Sequence, residues 1–190
     1  AMVVISRVGG EFADLPTDMS TVNYTDNSTE YKDFEDGQHY LSLSKTERDM
    51  IDLVCSNFDN VVLVYNAANT LELGFVDEHP QIKSVIWCPG TGQTGFNALG
   101  EILPEVNPSG HLVDTYCNDN STAPSLVNFY GTQYANATED NNAEWYDFML
   151  DGNKYYNVYS EGIYIGYKWY ETADAEGYWD AELSLYTSDA

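Results

Sequence analysis

The chain has 190 residues, of which 43% are hydrophobic, so it is long enough to bury the core of one domain with an extension, or of two small domains. Its 31 acidic residues outnumber the 7 basic ones, and the formal net charge is −24. Such a surface repels phosphate backbones and anionic lipid headgroups, which argues against nucleic-acid binding and against docking on a membrane. No apolar run approaches the roughly 18 residues that a membrane-spanning helix requires.

Four short apolar segments are predicted to be strands, at residues 2–6, 60–65, 83–88 and 112–116. The first three are nearly continuous in Val and Ile, a pattern typical of strands covered on both faces of a parallel sheet. Helical spacing of apolar residues between them predicts helices at 45–58, 70–79 and 95–103, the first of which begins at the capping box Ser44-Lys45-Thr46-Glu47. This alternation indicates an α/β fold, a layered α/β sandwich with a mostly parallel sheet.

The composition changes near residue 117, where Asn, Thr, Ser, Tyr and Asp become the dominant residue types. This part is too aromatic for a disordered tail but has little helical or strand periodicity, so we interpret it as long, ordered, aromatic-rich loops. The expected organisation is an α/β sandwich core over residues 1–116 and a loop-rich extension over residues 117–190. Because the sequence opens directly on an apolar strand, we expect the core to be incomplete at its N-terminus.

The three cysteines are odd in number and form no CxxC pair, so neither a zinc knuckle nor a thioredoxin motif is supported. We expect Cys55 and Cys88 to be buried free thiols. The histidines show no metal-ligand spacing, and Gly90-x-Gly92 lacks the third glycine of a dinucleotide fingerprint, so we expect neither a metal nor a cofactor. The lack of a signal peptide and of a disulfide pattern favours the bacterial cytoplasm, without fixing the compartment.

Three stretches carry a family resemblance when they are taken in chain order. The first is VVISRVGGE at residues 3–11, a strand followed by a small-residue turn and a glutamate. The second joins WCPGTGQTGFNAL at residues 87–99 to VNPSGHL at residues 106–112. The third is SEGIYIGYKWY at residues 160–170. Together they resemble the second domain of family 3 glycoside hydrolases, with its PG-x-x-G-x-x-x-A-L helix, its N-P-S-G-R-L turn and its EGIYVGYRYY segment.

The resemblance implies a domain of a β-glucosidase-like, retaining enzyme that acts on a β-linked glucoside or oligosaccharide. Retaining glycosidases use two carboxyl groups about 5–5.5 Å apart, one as nucleophile and one as acid/base. The family carries its nucleophile on a (β/α)8 barrel, which this sequence lacks, so the barrel domain of the same enzyme is the implied partner. The matching position for the acid/base is Glu11, which Gly9-Gly10 would place on a loop at the end of the first strand.

Two neighbours of Glu11 are candidate residues of the substrate site. The acid/base role requires a raised pKa, so that Glu11 is protonated when it meets the glycosidic oxygen. Phe12 would supply apolar cover or simply pack, and Asp14 would raise that pKa by like-charge repulsion or lie on the surface as a solvated carboxylate. Without the nucleophile of the barrel, the chain could donate a proton but could not form the glycosyl-enzyme. We therefore expect the chain alone to be inactive.

Two functions from other classes remain open. One is a non-catalytic domain that binds carbohydrate or protein through its aromatic loops. The other is a flavodoxin-like cofactor binder, which the fold class permits although no convincing phosphate loop follows the first strand. A domain separated from its barrel is also expected to expose a tyrosine-rich apolar patch and to self-associate through it.

Overall fold

The computed structural model of the protein describes residues 1–9, 15–23, 25, 27–28, 30–104, 106–127, 132–133, 155–156, 159, 161–177 and 185–186. The chain divides into two compact units, the first formed by residues 1–119 and 181–190 and the second by residues 120–180. The first is called unit 1 and the second unit 2. The expected extension over residues 117–190 is described only in part, so its loop character and the boundary at residue 117 stay predictions.

A three-stranded parallel sheet forms the centre of unit 1. Its strands are β1 (Met2–Ser6), β2 (Val61–Asn66) and β3 (Ile82–Trp87), and they lie in the order β1-β2-β3. Val3 pairs with Leu63 in one ladder, and Leu63 pairs with Val85 in the other. The sheet and its intervening helices confirm the predicted α/β sandwich class, and each of these strands begins and ends within one residue of the predicted bounds.

The remaining elements are short. The helices are α1 (Lys45–Cys55), α2 (Phe75–Glu78), α3 (Gly92–Gly95), α4 (Asn97–Ile102), α5 (Pro124–Val127) and α6 (Tyr167–Ala175), with 3-10 turns at Met19–Thr21 and Asn120–Thr122. The described residues also form two antiparallel pairs of two-residue strands, namely β4 (Tyr116–Cys117) with β7 (Leu185–Tyr186) and β5 (Thr132–Gln133) with β6 (Tyr155–Tyr156). Among the described residues, no helix is both long enough and apolar enough to cross a membrane.

Strand β2 separates the core of unit 1 into two apolar clusters, because successive side chains of a strand point to opposite faces. Val61, Leu63 and Tyr65 belong to the larger cluster, which also contains Ile51 and Cys55 of α1. Val64 belongs to the smaller cluster, with Cys88 and with Leu99 of α4. Both faces of the central strand are therefore covered, as its nearly continuous Val and Leu content predicts. All three cysteines are free and buried, which confirms the expectation for Cys55 and Cys88.

Helix α1 begins at the predicted capping box. The Ser44 side chain accepts from the Glu47 N–H at 3.2 Å, and the Glu47 carboxylate accepts from the Ser44 N–H at 2.9 Å. These two bonds satisfy backbone donors that a helix start otherwise leaves without partners. The helix ends at Cys55, three residues before the predicted end, and the Asn57 side chain then donates to the Leu53 carbonyl at 2.7 Å.

Three predicted elements differ in the structure, and the first is the helix predicted at 70–79, which is present only as α2 at Phe75–Glu78. The predicted fourth strand at residues 112–116 is wrong, because only Tyr116–Cys117 find a partner strand and Val113 is 78% exposed. The helix predicted at 95–103 is present as α4 at Asn97–Ile102, and a separate turn of helix, α3, precedes it at Gly92–Gly95. Gly92 and Gly95 lower the helix propensity of this region. A Cβ at Gly95 would also lie only 2.8 Å from Thr91 Cβ.

His79, which follows α2, joins this helix to α1. Its Nε2 lies 2.7 Å from Asp52 Oδ1, and its Nδ1 lies 2.7 Å from the Phe75 carbonyl oxygen. Burial lowers the pKa of His79, but the bonds to Phe75 and Asp52 outweigh burial and raise it above the ordinary 6.5. Because the pKa of His79 is higher in the folded than in the unfolded chain, protonation of His79 stabilises the fold at pH values below the ordinary pKa. This contribution is lost as the pH rises through the pKa of the folded state.

The stability loss caused by His79→Gln is therefore expected to be greatest near pH 5.5 and to shrink toward pH 8. The effect should stay below about 1 kcal/mol, because the Asp52 side chain is 56% exposed. Urea unfolding of both proteins across this range measures the difference, with His111→Gln at an exposed position as the control. A loss that grows as the pH rises would contradict the assignment.

Candidate functional site

Arg7 follows β1 directly and connects the carboxyl end of this strand to α1. Its guanidinium binds the Glu47 carboxylate through Nη2 to Oε2 and through Nε to Oε1, the latter at 3.0 Å. The same group donates to the backbone carbonyls of Tyr40 and Ser42. The Arg7 side chain is 6% exposed and that of Glu47 is 19% exposed, so the ion pair is largely removed from water. Four hydrogen bonds thus fix the end of β1.

Tyr40 holds the next residue of the same segment. Its hydroxyl donates to the Val8 carbonyl, and the centre of its ring lies 5.3 Å from Arg7 Cζ, within cation–π range. The Arg7 backbone N–H also donates to the Asn66 carbonyl at 3.1 Å, beyond the last paired residue of β1. The chain is therefore anchored as far as Val8, one residue before Gly9.

The loop after β2 is anchored at both ends by aromatic side chains, of which Tyr65 is buried and Trp87 is half-buried. The Tyr65 hydroxyl donates to the Thr70 carbonyl at 3.0 Å, and the Trp87 indole N–H donates to the Ala67 carbonyl at 2.9 Å. Burial raises the pKa of Tyr65 far above its usual value, so its hydroxyl stays a donor at any ordinary pH. Residues 67–70 are consequently held in one conformation beside the end of β1.

Two polar side chains lie at the carboxyl edge of the sheet, on the loops after β2 and β3. Asn69, on the loop after β2, and Thr91, on the loop after β3, bury their side-chain polar atoms without a hydrogen-bond partner in the described part of the chain. The ends of parallel strands meet at one edge of a sheet, which is where open α/β folds bind ligands. Neither residue was predicted as a site residue, since a stretch such as Asn66-Ala67-Ala68-Asn69-Thr70 after a predicted strand is a weak signal.

His39, Glu72 and Asp119 form a cluster whose ligand atoms lie within 4.8 Å of one another. Their wide separation in sequence explains why no metal-ligand spacing was visible. His39 Nε2 lies 2.9 Å from Glu72 Oε1, and its Nδ1 accepts from the Leu41 N–H at 3.2 Å. The Ser42 hydroxyl donates to Glu72 at 2.6 Å. Both ring nitrogens of His39 are thus engaged within the protein, and the contacts describe a structural hydrogen-bonded cluster.

The three predicted site residues, Glu11, Phe12 and Asp14, lie outside the described residues. The last described residue before them is Gly9. Their proposed roles therefore remain predictions. At the carboxyl edge of the sheet, the described residues comprise the strand ends, the Arg7–Glu47 ion pair that fixes β1, and the neutral side chains of Asn69 and Thr91.

The segment that precedes α6 in unit 2 and the first residue of that helix expose large apolar side chains. These are Tyr159, Ile163, Tyr164, Ile165 and Tyr167, between 45% and 77% exposed. Within the same unit, α6 is held by its next two aromatic residues. The Trp169 indole N–H donates to the Thr122 carbonyl at 3.1 Å, and the Tyr170 hydroxyl lies 3.1 Å from Thr122 Oγ1.

Comparison with known proteins places the chain in a family. Residues 12–167 match the family described as the glycosyl hydrolase family 3 C-terminal domain. The chain is 30% identical to a beta-glucosidase of Ruminococcus albus over 132 residues, which are 68% of this chain and 11% of that protein. It is 31% identical to beta-glucosidase A of Butyrivibrio fibrisolvens over 143 residues, 74% of this chain and 14% of the relative.

A solved structure, the beta-D-glucoside glucohydrolase of Trichoderma reesei, matches with a TM-score of 0.48 and 22% identity. That match covers 74% of this chain and 17% of the other. The aligned part of the chain thus spans less than a fifth of each of these proteins. The family match, by contrast, extends over most of the sequence. The chain belongs to the glycosyl hydrolase family 3 C-terminal domain family.

Proposed function

We propose that this chain is the α/β sandwich domain of a retaining β-glycosidase and that Glu11 is its general acid/base. The observation that carries the proposal is family membership over residues 12–167, together with the similarity to proteins named beta-glucosidases. The family match begins directly after Glu11, so the role of Glu11 rests on its sequence position. It stands two residues beyond Gly9, just after the anchored end of β1.

The proposed reaction has two steps in which the same carboxyl group changes role. In the first step, protonated Glu11 gives its proton to the glycosidic oxygen while a second carboxylate attacks the anomeric carbon. The bond to the leaving group breaks and a glycosyl-enzyme forms. In the second step, the Glu11 carboxylate takes a proton from the attacking water, and the sugar leaves the nucleophile. The second carboxylate is proposed to lie on a (β/α)8 barrel that acts with this chain.

Phe12 and Asp14 are proposed to tune Glu11 rather than to react. Apolar cover by Phe12 and the negative charge of Asp14 would each favour the protonated carboxyl. Both effects would raise the pKa of Glu11, as a proton donor at neutral pH requires. The proposed substrate is a β-linked glucoside or oligosaccharide, in line with the names of the relatives.

The exposed apolar side chains of residues 159–167 support a partner domain. Patches of this kind mark interaction surfaces, and aromatic residues are enriched at them. We propose that the barrel covers this segment. Self-association of the isolated chain through the same side chains is the competing outcome, and light scattering at several concentrations separates the two.

Hydrolysis assays test the function. Aryl β-glucoside, β-xyloside and β-glucosaminide are offered to this chain alone, to a family 3 barrel alone, and to their mixture. We expect turnover only in the mixture, because neither half holds both carboxyl groups. Lack of turnover in every combination would overturn the catalytic proposal and favour a non-catalytic binding domain.

A further inference from the structure

Tyr40 contacts the chain on both sides of the segment that carries Glu11. Its hydroxyl donates to the Val8 carbonyl, and its backbone N–H donates to the Pro16 carbonyl at 3.0 Å. Glu11 lies between these two residues in the sequence, within residues 9–15. Val8 and Pro16 are called the two stems of this segment. A single residue thus contacts both stems, one through its side chain and the other through its backbone.

The first stem depends on hydrogen bonds more than on packing. The Val8 side chain is 87% exposed, so its burial contributes little to holding this residue in place. The Tyr40 hydroxyl binds the Val8 carbonyl, and the Tyr40 carbonyl accepts from the Arg7 guanidinium one residue earlier. Loss of the hydroxyl alone would therefore release the Val8 carbonyl and leave the contact with Arg7 in place.

The residues on either side of Tyr40 are fixed to the loop after β2. The Leu41 carbonyl accepts from the Glu72 N–H at 3.0 Å, and the Ser42 hydroxyl donates to the Glu72 carboxylate at 2.6 Å. His39 Nε2 lies 2.9 Å from the same carboxylate. Three contacts with one residue thus surround Tyr40, which makes it a firm support for the two stems.

The stems matter for Glu11 because Gly9 and Gly10 follow the first of them. Glycine restricts its backbone dihedral angles less than any other residue, so these two residues add little stiffness of their own. Fixing both ends of such a segment reduces the conformations that are open to the chain between them. A catalytic group needs this constraint, because a displacement of about 1 Å can lower the rate by about 10²-fold.

We propose that Tyr40 is a positioning residue for Glu11, because it joins the two stems of the segment that carries this carboxyl group. Tyr40 acts through the backbone of Val8 and Pro16 and takes no part in proton transfer. The inference rests on the proposed function, since it takes Glu11 to be the acid/base. It adds that the rate of proton donation depends on a hydroxyl group outside that segment.

Tyr40→Phe tests this role in the mixture of the chain and a family 3 barrel. The variant loses the hydroxyl bond to Val8 but keeps the ring beside Arg7 and the backbone bond to Pro16. On a β-linked disaccharide, we expect kcat to fall about tenfold and KM to change by less than about twofold. Glycosyl-enzyme formation from the dinitrophenyl β-glucoside, whose leaving group needs no proton, should change by less than about twofold.

Tyr31→Phe is the matched control. The Tyr31 hydroxyl lies 2.6 Å from Thr46 Oγ1, and Lys45 Nζ lies 5.5 Å from the centre of the Tyr31 ring. This half-buried tyrosine, like Tyr40, therefore combines a hydroxyl contact with a cation–π contact. Its partners lie at the start of α1, away from the two stems in sequence, so the rates should match those of the wild-type chain. Equal rates for the two variants would overturn the inference.

A double-mutant cycle separates positioning from a general loss of structure. If Tyr40 acts through Glu11, Tyr40→Phe should slow the wild-type chain about tenfold but the Glu11→Ala chain by less than about twofold. Equal losses in both backgrounds would overturn the inference and leave the acid/base role of Glu11 intact. A Glu11→Ala chain as active as the wild type would instead overturn the acid/base proposal, and the positioning role with it.

Hydrogen exchange of the chain without the barrel tests the contact independently of activity. The backbone amides of residues 9–15 should exchange faster in Tyr40→Phe than in the wild-type chain, because one stem is released. Tyr31→Phe should leave their exchange rates unchanged. Unchanged exchange of these amides in Tyr40→Phe would overturn the inference that the hydroxyl holds the first stem.

Discussion

Arg7→Ala is expected to lower the free energy of unfolding by about 3–5 kcal/mol, because it removes one partner of a buried ion pair and leaves the other charge buried. Glu47, whose side chain is 19% exposed, would be left with a charge that the Ser44 backbone N–H alone cannot balance. The Tyr40 and Ser42 carbonyls would also lose their donor. Urea unfolding of the wild-type chain and the variant measures the loss.

Arg48→Ala is the matched control for this prediction. Arg48 pairs with Glu78 at 3.6 Å, but the two side chains are 47% and 67% exposed. Solvent screens such a pair, so the control should lose less than about 1 kcal/mol. Equal losses in the two variants would contradict the view that Arg7 anchors the end of β1.

Glu11→Ala is expected to reduce kcat/KM of the mixture of chain and barrel on a β-linked disaccharide by about 10²–10⁴-fold, which is the usual contribution of general acid–base catalysis. Glu30→Ala, at an exposed position in unit 1, should leave the rate unchanged. The circular dichroism spectra and the unfolding midpoints of both variants should match those of the wild-type chain. Equal rates for the two variants would contradict the role of Glu11.

The central fold was predictable because its signals are local. The Val-rich runs of β1 and β2, the matching run of β3, and the capping box at Ser44 are each contained in a few consecutive residues. The strand predicted at 112–116 failed because a strand also needs a neighbour, and only Tyr116 and Cys117 have one. Helix α6 was not predicted, because its apolar residues are mostly Tyr and Trp within a motif of glycines.

A sequence motif marks candidate site residues after β1, and the role of Glu11 there stays a prediction because Glu11 lies outside the described residues. Gly9 and Glu11 stand in a recognisable pattern after β1, and the family match begins beside it. The Arg7–Glu47 pair joins residues that are distant in sequence, and no periodicity marks it. The burial of the Asn69 amide is likewise marked by no sequence pattern. Such long-range contacts require coordinates.

The dependence of the Glu11→Ala rate on the leaving group tests the central claim most directly. A strongly acidic phenol leaves without a proton, whereas the sugar alcohol of a β-linked disaccharide needs one. With the mixture of chain and barrel, we expect Glu11→Ala to slow cleavage of the disaccharide at least a hundredfold and to change glycosyl-enzyme formation from the dinitrophenyl β-glucoside by less than about tenfold. An equal loss on both substrates would contradict proton donation by Glu11.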